Sequence, residues 1–293
     1  MKVVLFCGGL GMRMREYSES VPKPMVDIGY RPILWHVMKY YAHFGHKEFI
    51  LCLGWKANVI KEYFLNYQES LSNDFIISGG GKEIELLGSD IEDWKITFCD
   101  TGINASIGER LKAVEQHVKD EPTFLANYTD GLSDIMLPDL VNFHHCKNSI
   151  ATFVSVRPSQ SFHTVGIDES GAVNQIREVR NGDVWMNGGF FVFSNEIFKH
   201  LGTGQDMVDG AFVELIKLRR CFSMKYDGFW GCMDTYKELQ ELQDLHDRGA
   251  TPWTVWQSFS PNGQSSTNHL QHHWLEERNT IEVSKAESND ASA

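Results

Sequence analysis

The stretch Lys2-Val3-Val4-Leu5-Phe6-Cys7-Gly8-Gly9-Leu10-Gly11-Met12-Arg13 carries a short apolar run straight into a glycine-rich turn. The run from Lys2 to Phe6 reads as a strand. Gly8, Gly9 and Gly11 then form a turn whose backbone amides can approach an anion without side-chain obstruction. The same glycines would serve a purely structural strand-turn, so the residues that follow matter. They are cationic: Arg13, Arg15 and then Lys23, which Pro22 and Pro24 hold in a stiff extended segment. Glycines beside fixed cations suit a polyphosphate. Two common phosphate loops are excluded. The dinucleotide fingerprint needs a third glycine where Met14 stands, and the ATP-type loop needs Gly-Lys followed by Ser or Thr.

Working outward, residues 32–44 place Ile33, Leu34, Val37, Met38, Tyr41 and Phe44 at helical spacing, with Pro32 suited to a first turn. Residues 48–53 read as a strand and residues 58–67 as a helix. Further strands are expected at 95–98, 123–126 and 150–156, with helices at 106–118 and 138–145. Strands alternating with helices predict an α/β fold, a parallel sheet with crossover helices. After residue 160 the pattern loosens into short runs at 165–168, 173–176 and 189–193, with a turn at Glu169-Ser170-Gly171, which predicts a smaller antiparallel addition to the sheet. Helices return at 208–218 and 236–247. From residue 258 onward Ser, Asn, Gln and His dominate, so 258–293 is expected to be a disordered polar tail. Its histidines 269, 272 and 273 could bind a metal or simply be solvated.

The chain has 293 residues, 27 basic against 39 acidic, a net charge of −12, and 42% apolar residues. That describes a globular protein of one large domain or two closely packed ones, with a sizeable core. The acidic surplus argues against nucleic acid and anionic membranes as partners, since the longest basic cluster is Arg219-Arg220. The six cysteines show no C-x-x-C pair and read as buried thiols of a reducing compartment. The apolar run after Lys2 is too short for a signal peptide, and no run approaches the ~20 apolar residues of a membrane span. A cytoplasmic protein is expected.

Several motifs in one order resemble the sugar-1-phosphate nucleotidyltransferase family over residues 1–257. They are Phe6-Cys7-Gly8-Gly9-Leu10-Gly11-x-Arg13 and Val21-Pro22-Lys23-Pro24-Met25. Others resemble its glucose-1-phosphate cytidylyltransferase branch: Pro32-Ile33-Leu34-Trp35-His36, Asn187-Gly188-Gly189-Phe190-Phe191 and Gly228-Phe229-Trp230-x-x-Met233-Asp234-Thr235. The resemblance implies a Rossmann-like, mostly parallel sheet with a nucleotide half over about 1–160 and an acceptor and oligomerisation half over about 161–257. It implies in-line attack of an acceptor phosphate on the α-phosphorus of CTP with Mg²⁺ as cofactor, in a homo-oligomer. Asp130 and Asp234 would hold the metal, which suits hard oxygen ligands at the carboxyl end of a parallel strand. Without the resemblance, Asp130 in Asp-Gly would be a plain turn residue. Arg13 and Lys23 would hold the triphosphate, with Phe6, Gly8, Gly9, Gly11, Met12 and Thr129 around the nucleotide. Arg110 would address a base carbonyl, or else be a surface residue of an amphipathic helix.

The acceptor side departs from the family pattern. Val179, in Ile176-Arg177-Glu178-Val179-Arg180, stands where the family has the lysine that meets the acceptor phosphate, and Gln160-Ser161-Phe162-His163 replaces Gly-Arg-Phe-Gly. Met12 and Thr129 are departures on the nucleotide side. In an extended segment Arg177 shares a face with Val179 and Arg180 does not, which favours Arg177 as the substitute cation. The acceptor side is expected to comprise Arg157, His163, Arg177, Glu178, Asn187 and Gly188. Three readings follow: a cytidylyltransferase for a sugar 1-phosphate or another phosphate monoester, a catalytically silent nucleotide-binding subunit, and a glycosyltransferase. The last is disfavoured because Asp130-x-x-x-Asp134 is not a tight Asp-x-Asp.

Overall fold

The computed structural model describes residues 1–9, 21–158, 162–202 and 204–257, apart from the side chain of residue 181. Arg13, Gly11, Met12 and the tail from 258 onward lie outside the described residues, as do Gln160 and Ser161. Residues Met1–Val255 make one compact unit.

The elements of the main sheet and its helices are β1 (Val3–Phe6), α1 (Ile33–His43), β2 (Glu48–Leu53), α2 (Ala57–Leu65), β3 (Lys95–Asp100), α3 (Ile107–Ala113), β4 (Thr123–Tyr128), α4 (Leu137–Cys146), β5 (Ala151–Val156), β6 (Phe191–Ser194), β7 (Cys221–Tyr226) and α5 (Tyr236–Asp247). β1 pairs in parallel with β2 on one side and β4 on the other, and β2 pairs in parallel with β3. The central strands are apolar along their whole length because both faces are covered: Val3, Val4 and Leu5 are fully buried. β6 joins β4 antiparallel and β5 antiparallel, while β7 lies parallel to β5. The eight-stranded sheet is completed by residues Met186–Asn187, which pair with the far end of β5. A ladder of rings fills the β4/β6 side, with Phe191 stacked on Phe193 at 5.3 Å and Phe124 on Phe198 at 5.7 Å.

This topology fixes where a ligand can bind. From β1 the chain runs outward to β2 and β3, then crosses back to place β4 on β1's other edge. The strand order therefore reverses between β1 and β4, which opens a crevice at their carboxyl ends. The loops that leave those ends are Cys7-Gly8-Gly9 and Thr129-Asp130, and the Thr129 hydroxyl donates to the Phe6 carbonyl at 3.1 Å, joining them.

Four local expectations need correction. The helix over 106–118 is two pieces, Ile107–Ala113 and Glu115–Val118. The helix over 208–218 opens as a π turn, Met207–Phe212, before Val213–Lys217. The hairpin His163–Ile167/Val173–Glu178 forms its own two-stranded sheet, and only the Met186–Asn187 and Phe191–Ser194 part of the antiparallel region enters the main one. Of the six free cysteines only Cys7 and Cys52 are buried, and Cys146 is exposed.

Candidate active site

A cavity of 660 Å³ lies at the β1/β4 switch point, and its lining includes Phe6, Gly8, Gly9, Lys23, Arg110, Thr129, Asp130 and Asp234. Distant chain segments meet here for local reasons. Pro22 is extended and caps a short 3-10 turn over Lys23–Met25, with Pro24 inside it, and the turn leaves the Lys23 side chain largely buried. Residues Trp230–Cys232 pair antiparallel with Gly131–Ser133, and the Met233 amide donates to the Asp130 carbonyl at 2.8 Å. That pairing carries Asp234 alongside Asp130. A capping box between Thr235 and Glu238 starts α5 immediately after Asp234, and the Asp234 amide itself donates to Glu238 at 2.9 Å.

The Lys23 ammonium bridges the two carboxylates, donating to Asp130 at 2.6 Å and to Asp234 at 2.5 Å. Burial alone would lower the Lys23 pKa, but the two carboxylates outweigh it and hold it above the ordinary lysine value. Asp130, Asp234 and the Cys232 thiol place ligand atoms within 4.8 Å of one another. Burial first, then repulsion by the two carboxylates, pushes the Cys232 thiol well above its usual range. The hard donors of this cluster are therefore the two aspartates, an acidic site of the kind that takes a divalent cation.

Arg110 is not a surface residue: it is 1% exposed, which removes that alternative. Its Nη1 donates to the Leu53 carbonyl at 3.2 Å and the Thr101 hydroxyl at 2.8 Å, and its Nη2 to the Ile103 carbonyl at 3.1 Å. The guanidinium packs so closely under Gly8 that a Cβ there would overlap it. Arg110 thus braces the glycine turn against the loop after β3. Sequence reasoning missed Tyr128, Ser106 and Asp206, which also line the cavity. The only signal for Asp206 was an acidic residue in a Gly-rich loop ahead of an apolar helix.

The acceptor-side residues are not brought together in the same way. Asn187 and Gly188 lie beside the cavity wall: the Asn187 side chain accepts from the Gly189 amide at 3.0 Å, and Trp230 Nε1 donates to the Gly188 carbonyl at 2.9 Å. Gly189 adopts φ +76°, and a Cβ there would lie 2.6 Å from Asn127, so glycine is required. Arg157 lines a second cavity of 300 Å³ together with Arg180, Tyr226, Asp227 and Trp230. Its Nε donates to Asp227 at 3.1 Å, its Nη1 to the Gly182 carbonyl at 2.7 Å, and its guanidinium stacks on Trp185 at 4.5 Å. His163, Arg177 and Glu178 lie on the exposed hairpin, where Arg177 meets the Gln175 carboxamide. The alternation argument that favoured Arg177 fails, because the strand ends at Glu178 and Val179 begins a 3-10 turn. The turn brings Arg180 to the second cavity.

A parallel sheet with a glycine turn, a bridging lysine and two convergent carboxylates at its switch point defines a nucleotide-phosphate chemistry. The Nucleotidyl transferase family model matches residues 2–212, and the chain belongs to that family. It is 39% identical over 258 residues to the "Probable glucose-1-phosphate cytidylyltransferase" of Bacillus subtilis (strain 168), spanning 87% of this chain and 100% of the relative. It is 36% identical over 266 residues to the glucose-1-phosphate cytidylyltransferase of Salmonella typhi, with 88% and 100% covered. These relatives place it in the glucose-1-phosphate cytidylyltransferase branch. The fold is shared with a UDP-glucose pyrophosphorylase complexed with UDP-glucose, at TM-score 0.61 and 13% identity over 85% of this chain and 98% of that one. No helix among the described residues is long and apolar enough to cross a membrane.

Proposed function

We propose that this enzyme joins CMP from CTP to glucose 1-phosphate and releases pyrophosphate. The observation that carries the reading is the Lys23 ammonium held between Asp130 and Asp234 in the wall of a cavity that begins at a glycine turn. An oxygen of the acceptor phosphate attacks the α-phosphorus, the bond to the pyrophosphate oxygen breaks, and no covalent enzyme intermediate forms. The protein's task is then to place two anions together and neutralise their charge. Arg13 and Lys23 hold the triphosphate, with Phe6, Gly8, Gly9, Gly11, Met12 and Thr129 around the nucleotide. Asp130 and Asp234 would hold Mg²⁺, which supplies charge neutralisation at the phosphates when bound.

On the acceptor side, Arg157 and Arg180 take over from the cation absent at Val179. Arg157 is fixed by Asp227, Gly182 and Trp185, and such a braced guanidinium suits a phosphate or sugar hydroxyls. Asn187 and Gly188, whose carbonyl accepts from Trp230, would flank the acceptor, with His163, Arg177 and Glu178 on its solvent-exposed rim beyond the phosphate. The exposed apolar residues Ile76, Ile77 and Ile84 of the antiparallel pair Phe75–Ser78/Glu83–Leu86, and Val165, Ile167 and Ile176 of the hairpin His163–Ile167/Val173–Glu178, support a homo-oligomer. Six unpaired cysteines support a reducing, cytoplasmic setting. The test is pyrophosphate release from CTP with glucose 1-phosphate, galactose 1-phosphate or glycerol 3-phosphate, with and without Mg²⁺. Efficient release with glucose 1-phosphate, abolished by chelation, is expected. Release that depends only on another acceptor would reassign the substrate.

A further inference from the structure

The nucleotide cavity contains one acidic side chain that the phosphate chemistry does not explain. Asp130 and Asp234 are paired with Lys23, but Asp206 lines the same cavity beside the loop of Ile103 to Ile107. That loop and the Asp206 turn are locked together. The Ser106 hydroxyl donates to the Gln205 carbonyl at 3.2 Å, and Gly108 sits so near the turn that a Cβ would be 2.5 Å from that carbonyl. Asp206 is itself held, since one carboxylate oxygen accepts from the Val208 amide at 2.9 Å. No hydrogen bond engages the other oxygen among the described residues.

A fixed carboxylate repels a triphosphate, so its place in this cavity makes sense at the end that meets the base. Carboxylate oxygens only accept hydrogen bonds. Cytosine presents an amino donor at C4, whereas uracil and thymine present a carbonyl acceptor there, so a carboxylate attracts the first and repels the others. The opposite polarity stands nearby: Arg110 Nη2 makes one bond, to Ile103, and has a second N–H to offer a base carbonyl. Resting on the nucleotide-transfer reading above, we infer that Asp206 is a specificity-determining residue that accepts from the cytosine amino group and rejects uridine and thymidine nucleotides.

The test compares wild type with Asp206→Asn, which keeps an oxygen for the Val208 amide and can turn an N–H toward uracil. With glucose 1-phosphate saturating, kcat/KM is measured for CTP and UTP, and thermal melting checks that the variant is folded. The CTP to UTP ratio is expected to fall by about tenfold to a hundredfold, as reversal of one base contact allows. Calorimetric binding of CMP and UMP separates this inference from the proposed reaction. If wild type turns over nothing yet prefers CMP, and Asp206→Asn erases the preference, the reaction is wrong and the role of Asp206 stands. If turnover is efficient but the ratio is unchanged in a folded Asp206→Asn, or if wild type binds CMP and UMP equally, the inference is overturned.

Discussion

Replacing Lys23 with methionine separates the two duties of that side chain, because it keeps the bulk and removes the charge. The ammonium lies 2.6 Å from Asp130 and 2.5 Å from Asp234, with 17% of its side chain exposed against 26% and 38% for its partners. A charge-assisted hydrogen bond is worth roughly 1.5 to 3 kcal/mol, and the exposure of Asp234 draws its share toward that of a surface pair, below about 1 kcal/mol. A divalent ion that binds the free enzyme at these carboxylates must displace the ammonium, so the lysine opposes it by about 2 kcal/mol. Lys23→Met should therefore bind Mn²⁺ about thirtyfold more tightly in the absence of nucleotide, since 1.4 kcal/mol is tenfold. Turnover should move the other way and fall by about a hundredfold to a thousandfold, the usual effect of deleting one charge-stabilising contact. Titration of Mn²⁺ followed by calorimetry, with pyrophosphate release in parallel, reads both. Unchanged Mn²⁺ affinity in a folded variant would show that the ion does not share the carboxylates with Lys23.

Gly8→Ala would drive a methyl group into the Arg110 guanidinium and cost on the order of 1 to 3 kcal/mol in stability, with nucleotide affinity lost as well. A double-mutant cycle with Arg110→Met should be strongly non-additive, and simple additivity would mean that the two do not brace each other. Burial holds His36 and His144 neutral, with pKa values pulled down to about 4. The unfolded chain takes up protons at ordinary histidine pKa while the folded chain does not, so stability falls as pH drops from about 6.5 toward 4. Unfolding free energies from urea titrations at pH 7 and pH 5 should differ by on the order of 1 to 2 kcal/mol per histidine, and a flat profile would contradict their burial as neutral rings. On the acceptor side, Arg157→Ala should raise KM for the sugar phosphate about tenfold or more with little change in KM for CTP, while Arg177→Ala should change neither. The reverse ranking would return the acceptor phosphate to the hairpin.

What could be read from the sequence was mainly what neighbours in the chain decide. The strand and glycine turn at 3–9, the apolar stripe that becomes α1 and the capped helix Tyr236–Asp247 follow from local spacing and turn chemistry. Asp130 and Asp234 lie on separate segments that only the Gly131–Ser133/Trp230–Cys232 pairing joins, so only the family resemblance connected them. Arg110 was ambiguous because its partners are mostly backbone carbonyls, which leave no trace in side-chain spacing. Period-two reasoning failed at Val179 because it presumed a strand past Glu178, where a turn had already begun. The turn ahead of the π segment 207–212 is held from a distance, through Ser106 and Gly108 against the Gln205 carbonyl, a contact that spacing within 205–218 does not record.

The dispersed origin of the carboxylate pair governs when, during synthesis, the protein becomes an enzyme. Lys23 and Asp130 are 107 positions apart, and Lys23 and Asp234 are 211 apart. At roughly 5 to 20 residues per second, the ribosome releases Asp234 about 5 to 20 s after Asp130. Until residues 191–194 follow, β4 exposes the edge that β6 later covers, an open template for another nascent chain. A product that terminates before residue 234 never gains the second carboxylate. Such a fragment contributes no turnover, which makes the last third of the chain the checkpoint for useful synthesis.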